Sequence, residues 1–160
     1  MRYLLKLNHK VINMKKLFIY FSLTGNGDLV ASCFEEHGYD VRKVIEKAKA
    51  PKSFFFRVMV GGFRAGFKMK GKLVDYNNDV SEYDEIIIGS PVWNGRFPPA
   101  INAVLKETDF LGKTVAFLFY SGSGDIPKAE KDIKKQFPHA TILVIKEPKE
   151  HPEELKKIVF

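Results

Sequence analysis

KKLFIYF (residues 15–21), followed at once by SLTGNGD (22–28), decides how the rest of the chain is read. An apolar run of strand length ends in a bend made of hydroxyls, glycines and an Asn, and LVASCFEE (29–36) then continues at helical spacing. A strand that feeds a Gly-rich turn and then a helix offers free backbone N–H groups and a positive helix end to an anion, so a phosphate is the expected ligand chemistry. The loop has neither the Lys nor the spacing of GxxxxGK[ST] and is therefore not a nucleoside-triphosphate loop. The phosphate has to arrive on another molecule.

Outward from this stretch, apolar runs of strand length alternate with helical patterns, the signature of a parallel sheet covered on both faces. Strands are expected at 16–21, 40–45, 85–90, 114–120 and 140–145, and helices at 27–36, about 53–69, 98–107, 127–136 and 152–159. Pro98-Pro99 and Pro152 mark helix starts, and Gly38 and Gly112 mark helix ends. The expected fold is α/β, a doubly wound five-stranded parallel sheet. Ligands of such sheets sit at the carboxyl ends of the strands where strand order reverses. The loops after the first, third and fourth strands are FSLTGNGD (21–28), GSPVWNGRFPPA (89–100) and YSGSGDIPKA (120–129), each rich in Ser, Gly or Asn.

The 160 residues, 45% of them hydrophobic and 28% charged, suit one domain with a sizeable core. It is expected over 14–160, with 1–13 as an N-terminal extension that carries Arg2, Lys6 and Lys10, three of the seven net positive charges. No apolar run approaches the roughly 18 residues of a membrane span, and 1–13 lacks the apolar length and cleavage site of a signal peptide. A cytoplasmic location is the expectation. The one cysteine, Cys33, excludes an intramolecular disulfide and reads as a small core hydrophobe.

Several functions are excluded by what the loops lack. The four His (9, 37, 139 and 151) lie outside them, no G-x-S-x-G elbow exists and no spacing suits a metal site, so neither catalytic nor metal residues are assigned. A phosphorelay receiver would need carboxylates after strands one and three, where Ser22 and Ser90 stand. The basic residues form no nucleic-acid-binding module.

FSLTGNGD, GSPVWNGRFPPA and YSGSGD together resemble the three flavin-binding loops of the flavodoxin family, over nearly all of residues 14–158. The resemblance implies the strand order 2-1-3-4-5 and one non-covalent FMN. Ser22, Leu23, Thr24, Gly25, Asn26 and Gly27 match the family's phosphate loop, with Gly27 where a second Thr is usual and Asp28 following. In the second loop, Pro91, Val92, Trp93, Asn94 and Gly95 match the segment that borders the isoalloxazine ring. Trp93 would stack on it, and the Asn94-Gly95 peptide would turn its carbonyl toward the flavin N5 on reduction, through a type II turn with positive φ at Gly95. Ser121, Gly122, Ser123, Gly124 and Asp125 match the segment at the pyrimidine edge. No Tyr follows Asp125; Ile126 is the nearest bulky residue.

The function so implied is electron transfer through FMN between redox partner proteins. The alternatives are an NAD(P)H-dependent quinone or flavin reductase, and a binding module with weak flavin affinity. PKSFFFRVMVGGFRAGFKMKGK (51–72) carries six Lys or Arg and no acid. At helical spacing Phe56, Val60, Phe63 and Phe67 form a stripe expected to pack on the sheet, with Gly62 and Gly66 allowing close approach. Arg57, Arg64 and Lys68 lie beside it as a solvated face, and the basic balance points to redox partners with an acidic docking surface.

Overall fold

Successive residues of a strand point to opposite faces, yet Leu17, Phe18, Ile19 and Tyr20 are all buried. Only a central strand with both faces covered buries such a run. The computed structural model describes residues 14–47 and 54–160, with the side chains of 54–58 left out; the expected extension, 1–13, lies outside the described residues. In chain order the elements are β1 (Lys16–Tyr20), α1 (Asn26–Glu36), β2 (Asp40–Lys43), α2 (Phe54–Gly66), β3 (Glu85–Pro91), α3 (Pro99–Glu107), β4 (Thr114–Tyr120), α4 (Pro127–Gln136) and β5 (Thr141–Ile145), followed by a 3-10 helix at Pro152–Lys157. The five strands form one parallel sheet in the order β2-β1-β3-β4-β5, which is the flavodoxin-like doubly wound arrangement. The strand order reverses beside β1, so the loops after β1 and β3 flank the switch point.

One face of the sheet packs Phe18, Tyr20, Leu118 and Tyr120 against Val30, Ala31 and Phe34 of α1 and Ile158 of the C-terminal segment. The rings of Phe18 and Phe34 stack with centroids 4.2 Å apart. Truncating either to Ala would cost about 3–5 kcal/mol. The other face packs Leu17, Ile19, Ile86, Ile88, Phe117 and Phe119 against Ala100, Ile101 and Val104 of α3 and Ala129 and Ile133 of α4.

Element ends follow local chemistry. α1 stops where Gly38 takes φ 79 and Tyr39 N donates to Phe34 O at 3.1 Å. Gly112 does not end a helix: α3 stops at Glu107, and Gly112 (φ 74) forms the turn into β4. β2 ends at Lys43, two residues before the expected end, because 45–47 leave the sheet to bond with 72–74 through Lys47 N to Lys72 O (2.7 Å) and Val74 N to Ile45 O (2.9 Å). Cys33 is half-buried rather than core, and burial raises its thiol pKa.

The largest departure from expectation concerns α2. Its Phe stripe does not pack on the sheet: Phe63 is 63% and Phe67 71% exposed, their rings resting on each other at 4.8 Å. Phe56 lies among the side chains not described. The helix turns Gly61 and Ala65 inward, and it meets the loop after β3. The sheet face between β2 and β3 is covered by the irregular segment 75–84, whose Val80 and Tyr83 join the core.

Candidate functional site

Three contacts gather the loops above the carboxyl ends of the strands. Tyr120, the last residue of β4, donates its hydroxyl to Phe21 O at the end of β1. Trp93 meets Phe21 edge-to-face, with ring centroids 5.6 Å apart. Gly95 O accepts from Ala129 N, in the first turn of α4, at 3.0 Å. The three segments singled out in the sequence are thus neighbours, and each has its own internal order.

In the first loop, Gly25 takes φ 91 and opens α1 without a side-chain cap. The amides of Gly25 and Gly27 both donate to Ser22 Oγ, at 3.1 Å each. Two N–H groups that converge on one oxygen form the concavity an anion fills, here closed by a hydroxyl. Among the described residues, the amides of Leu23, Thr24, Asn26 and Asp28 make no hydrogen bond. Thr24 is exposed, and its Oγ1 accepts from Asn26 Nδ2 at 3.2 Å. Asp28 takes up two donors from outside the loop, Tyr20 Oη at 2.8 Å and Lys43 Nζ at 2.5 Å, and the Ser22 hydroxyl of the loop bonds to it as well. Partial burial pushes the Asp28 carboxyl up, but the bonds from Lys43 and Tyr20 outweigh it and hold it below the usual carboxylate range. Lys43 offsets the charge of this carboxylate, which limits its repulsion of an anion in the loop.

Gly27 has a steric reason. A Cβ there would lie 2.5 Å from Tyr120 Oη and 2.9 Å from Ser22 Cβ. A second Thr has no room once β4 ends in Tyr120, so its absence is part of how this core is packed.

In the second loop, Trp93 N donates to Arg96 O and Arg96 N to Trp93 O, both at 3.0 Å, around Asn94 (φ 51) and Gly95 (φ 72). This is a two-residue hairpin of type I′, for which Asn-Gly is the favoured pair. It is not the type II turn expected, because Asn94 as well as Gly95 is left-handed. Turning over the 94–95 peptide would leave Asn94 in a region reserved for Gly, at a cost of about 1–3 kcal/mol. Pro91 and Val92 are half-buried, and Val92 packs against the core.

The indole of Trp93 is half-buried beneath α2, where a Cβ on Gly61 would come within 2.6 Å of it. A Cβ on Gly66 would meet Asn94 Nδ2 at 2.7 Å, whereas Gly62 faces open space. The close approach is therefore made by Gly61 and Gly66, against the loop and not the sheet. Ion pairs fasten the end of this helix and the residues just after it. Lys68 Nζ lies 2.7 Å from Asp132 of α4, a carboxylate that Arg96 of the second loop also contacts. Lys70 Nζ lies 2.6 Å from Glu107 of α3. Arg64 stands 2.8 Å from the largely buried Glu46 Oε1, as a charge pair out of line for a hydrogen bond. Arg64 and Lys68 thus bind α2 down and do not form a free basic face; the Arg57 side chain is outside those described.

In the third loop, Ser121 is buried, its Oγ sits 3.1 Å from Ser123 Oγ, and Ser123 Oγ donates to Asp125 Oδ1 at 2.9 Å. Gly122 and Gly124 are exposed, with φ 78 at Gly124. Ile126 is buried in the core and offers no face to a ring above the loop.

One participant was absent from the sequence reading. Lys149, in the turn after β5, donates its amide to Asn26 Oδ1 and its ammonium to Thr24 O, both at 2.9 Å. Its sequence distance from the loop left no signal, since only the fold of 146–151 brings it there.

Residues 65–156, more than half of the chain, match the sequence profile of the flavodoxin family. No curated protein sequence matches the chain. Among solved structures, one from Bacteroides uniformis ATCC 8492, provisionally assigned as a flavoprotein, is 26% identical, with TM-score 0.65 over 89% of this chain and 98% of the other. Another provisionally assigned flavoprotein, from Bacteroides eggerthii DSM 20697, is 24% identical, with TM-score 0.67 over 91% of this chain and 98% of the other. A flavoprotein from Lactobacillus acidophilus NCFM, solved in complex with FMN, is 20% identical, with TM-score 0.68 over 88% of this chain and 97% of the other. The last two likenesses concern the fold alone. With the strand order, the three gathered loops and a profile match that takes in the second and third of them, the chain belongs to the flavodoxin family.

Proposed function

We propose that the chain binds FMN without a covalent bond in the cradle of the three loops and passes electrons through it between redox partners. The observation that carries this reading is the convergence of the Gly25 and Gly27 amides on a single oxygen at the start of α1. A phosphate oxygen can replace the Ser22 hydroxyl there, and Ser22 can then rotate to donate to the same phosphate. Thr24 Oγ1, exposed beside it, supplies a further donor, and the start of α1 adds a positive end.

When bound, FMN supplies the redox chemistry through its isoalloxazine ring. The chain's part is to hold and tune it. Ser22, Leu23, Thr24, Gly25, Asn26 and Gly27 hold the phosphate; Pro91, Val92, Trp93, Asn94 and Gly95 border the ring; Ser121, Gly122, Ser123, Gly124 and Asp125 supply donors and acceptors to its pyrimidine edge. Donors aimed there favour the negative charge that gathers on reduction. The partners we propose present an acidic surface, in keeping with the formal charge of +7. The setting we propose is cytoplasmic; no helix among the described residues is long and apolar enough to cross a membrane.

The type I′ turn favours a second reading, in which a two-electron donor such as NAD(P)H reduces the flavin and a quinone or free flavin reoxidises it. A turn that resists flipping gives no added hydrogen bond to a flavin carrying one electron. The absorption spectrum of the purified protein, with and without added FMN, tests the proposal. A yellow protein, or a colourless one whose added FMN shifts in band shape on binding, supports it; a colourless protein that leaves the FMN spectrum unchanged refutes it.

A further inference from the structure

We propose that Lys149 is the counter-charge of the phosphate site, so that the turn after β5 forms a fourth wall of the cradle. This rests on the phosphate-loop reading above. The side chain is long and exposed, but its position is fixed from both ends. The backbone amide donates to Asn26 Oδ1 at 2.9 Å, and Asn26 is itself buried, with its Nδ2 turned to Thr24 Oγ1. The ammonium donates to Thr24 O at 2.9 Å, and the stem crosses Gly25, where a Cβ would stand 3.4–3.8 Å from Lys149 Cδ, Cε and Nζ.

The turn is built to reach this far. Glu150 N and His151 N both donate to Glu147 O, at 3.0 and 2.9 Å, and Lys146 N donates to Glu154 Oε2 at 3.0 Å. Among the described residues no carboxylate pairs with Lys149, whereas Asp28, the acid nearest the loop in sequence, is paired with Lys43 and Tyr20. The loop therefore has one cation resting on its backbone, and Lys43 offsets the charge of its acid. The ammonium rests on the carbonyl of Thr24, and the Gly25 amide of the same peptide donates to Ser22 Oγ. A dianion held by the amides on the other side of that peptide attracts it, and a four-carbon stem with rotatable donors lets it turn toward the phosphate. The contact is solvent-exposed, so its contribution is screened by salt.

The consequence is selectivity for a phosphorylated flavin. Lys149→Met keeps the stem against Gly25 and removes the charge; Lys149→Arg keeps the charge. Dissociation constants for FMN and riboflavin, measured by flavin fluorescence at low and high salt, separate the outcomes. The expected result is that Lys149→Met weakens FMN by about fivefold at low salt, leaves riboflavin unchanged and flattens the salt dependence of FMN binding, while Lys149→Arg stays near the parent. An FMN-to-riboflavin preference in Lys149→Met equal to the parent's, or an equal loss for both flavins, overturns the proposal. If the parent itself does not prefer FMN over riboflavin, the phosphate-loop reading fails and this inference with it.

Discussion

A Cβ on Gly27 would lie 2.5 Å from the hydroxyl oxygen of Tyr120, which donates in turn to Phe21 O. One buried phenol thus joins the end of β4 to the end of β1 and dictates glycine in the loop between. Burial of the phenol pushes its pKa well above the ordinary tyrosine value, so the bond persists across the working pH range. Gly27→Ala forces either the ring or the loop to move and should destabilise the fold by about 1–3 kcal/mol. Chemical denaturation measures it. A variant as stable as the parent would mean that Tyr120 yields freely.

Gly61 and Gly62 make a paired test of how α2 is seated. Gly61→Ala would drive a methyl into Trp93, 2.6 Å away, and should lift the helix at a cost of about 1–3 kcal/mol. Gly62→Ala meets open space and should stabilise the helix by about 0.5–1 kcal/mol. Trp93 is the only Trp, so its fluorescence maximum reports the contact directly. A red shift is expected in the first variant and none in the second.

The turn at Asn94-Gly95 predicts a low yield of one-electron-reduced flavin in the FMN-loaded protein. Asn94→Gly removes the cost of about 1–3 kcal/mol that opposes turning over the 94–95 peptide. It should raise that yield in a spectroelectrochemical titration with little effect on FMN affinity. Equal yields in parent and variant would mean that the turn does not govern the flavin's redox states.

Acid should detach α2 before the sheet unfolds. Partial burial pushes the Asp132 carboxyl up, but the hydrogen bond and charge of Lys68 and the charge of Arg96 outweigh it, leaving the folded-state pKa below its ordinary value. A lowered pKa adds stability that is present above the unfolded value of about 3.9 and disappears as pH falls through the folded value. Trp93 fluorescence followed from pH 7 downward should therefore change below about pH 4, ahead of the far-ultraviolet circular dichroism. In Asp132→Asn that early fluorescence step should be missing.

The sheet was legible because β1, β3, β4 and β5 are each a compact apolar run, and a strand buried on both faces needs little more than that to declare itself. The three loops were legible because each pairs a strand end with a cluster of turn residues. α2 was misread for a physical reason: four large apolar residues at helical spacing outweighed Gly61 and Ala65, yet the helix crosses a loop, where small residues allow contact and Phe63 and Phe67 are left outside. Type I′ geometry at Asn94-Gly95 was available from the dipeptide alone. The Gly27–Tyr120 and Asn26–Lys149 pairs were not, because each joins segments that only the sheet order brings together.

The central claim is that residues 22–27 hold a phosphate, and the ratio of FMN to riboflavin affinity tests it most directly, in the parent and in Thr24→Val. The parent should bind FMN far more tightly than riboflavin. Thr24→Val should weaken FMN by about 1–3 kcal/mol through loss of a bond to a charged oxygen, with riboflavin unaffected. Equal affinity of the parent for the two flavins would contradict the account.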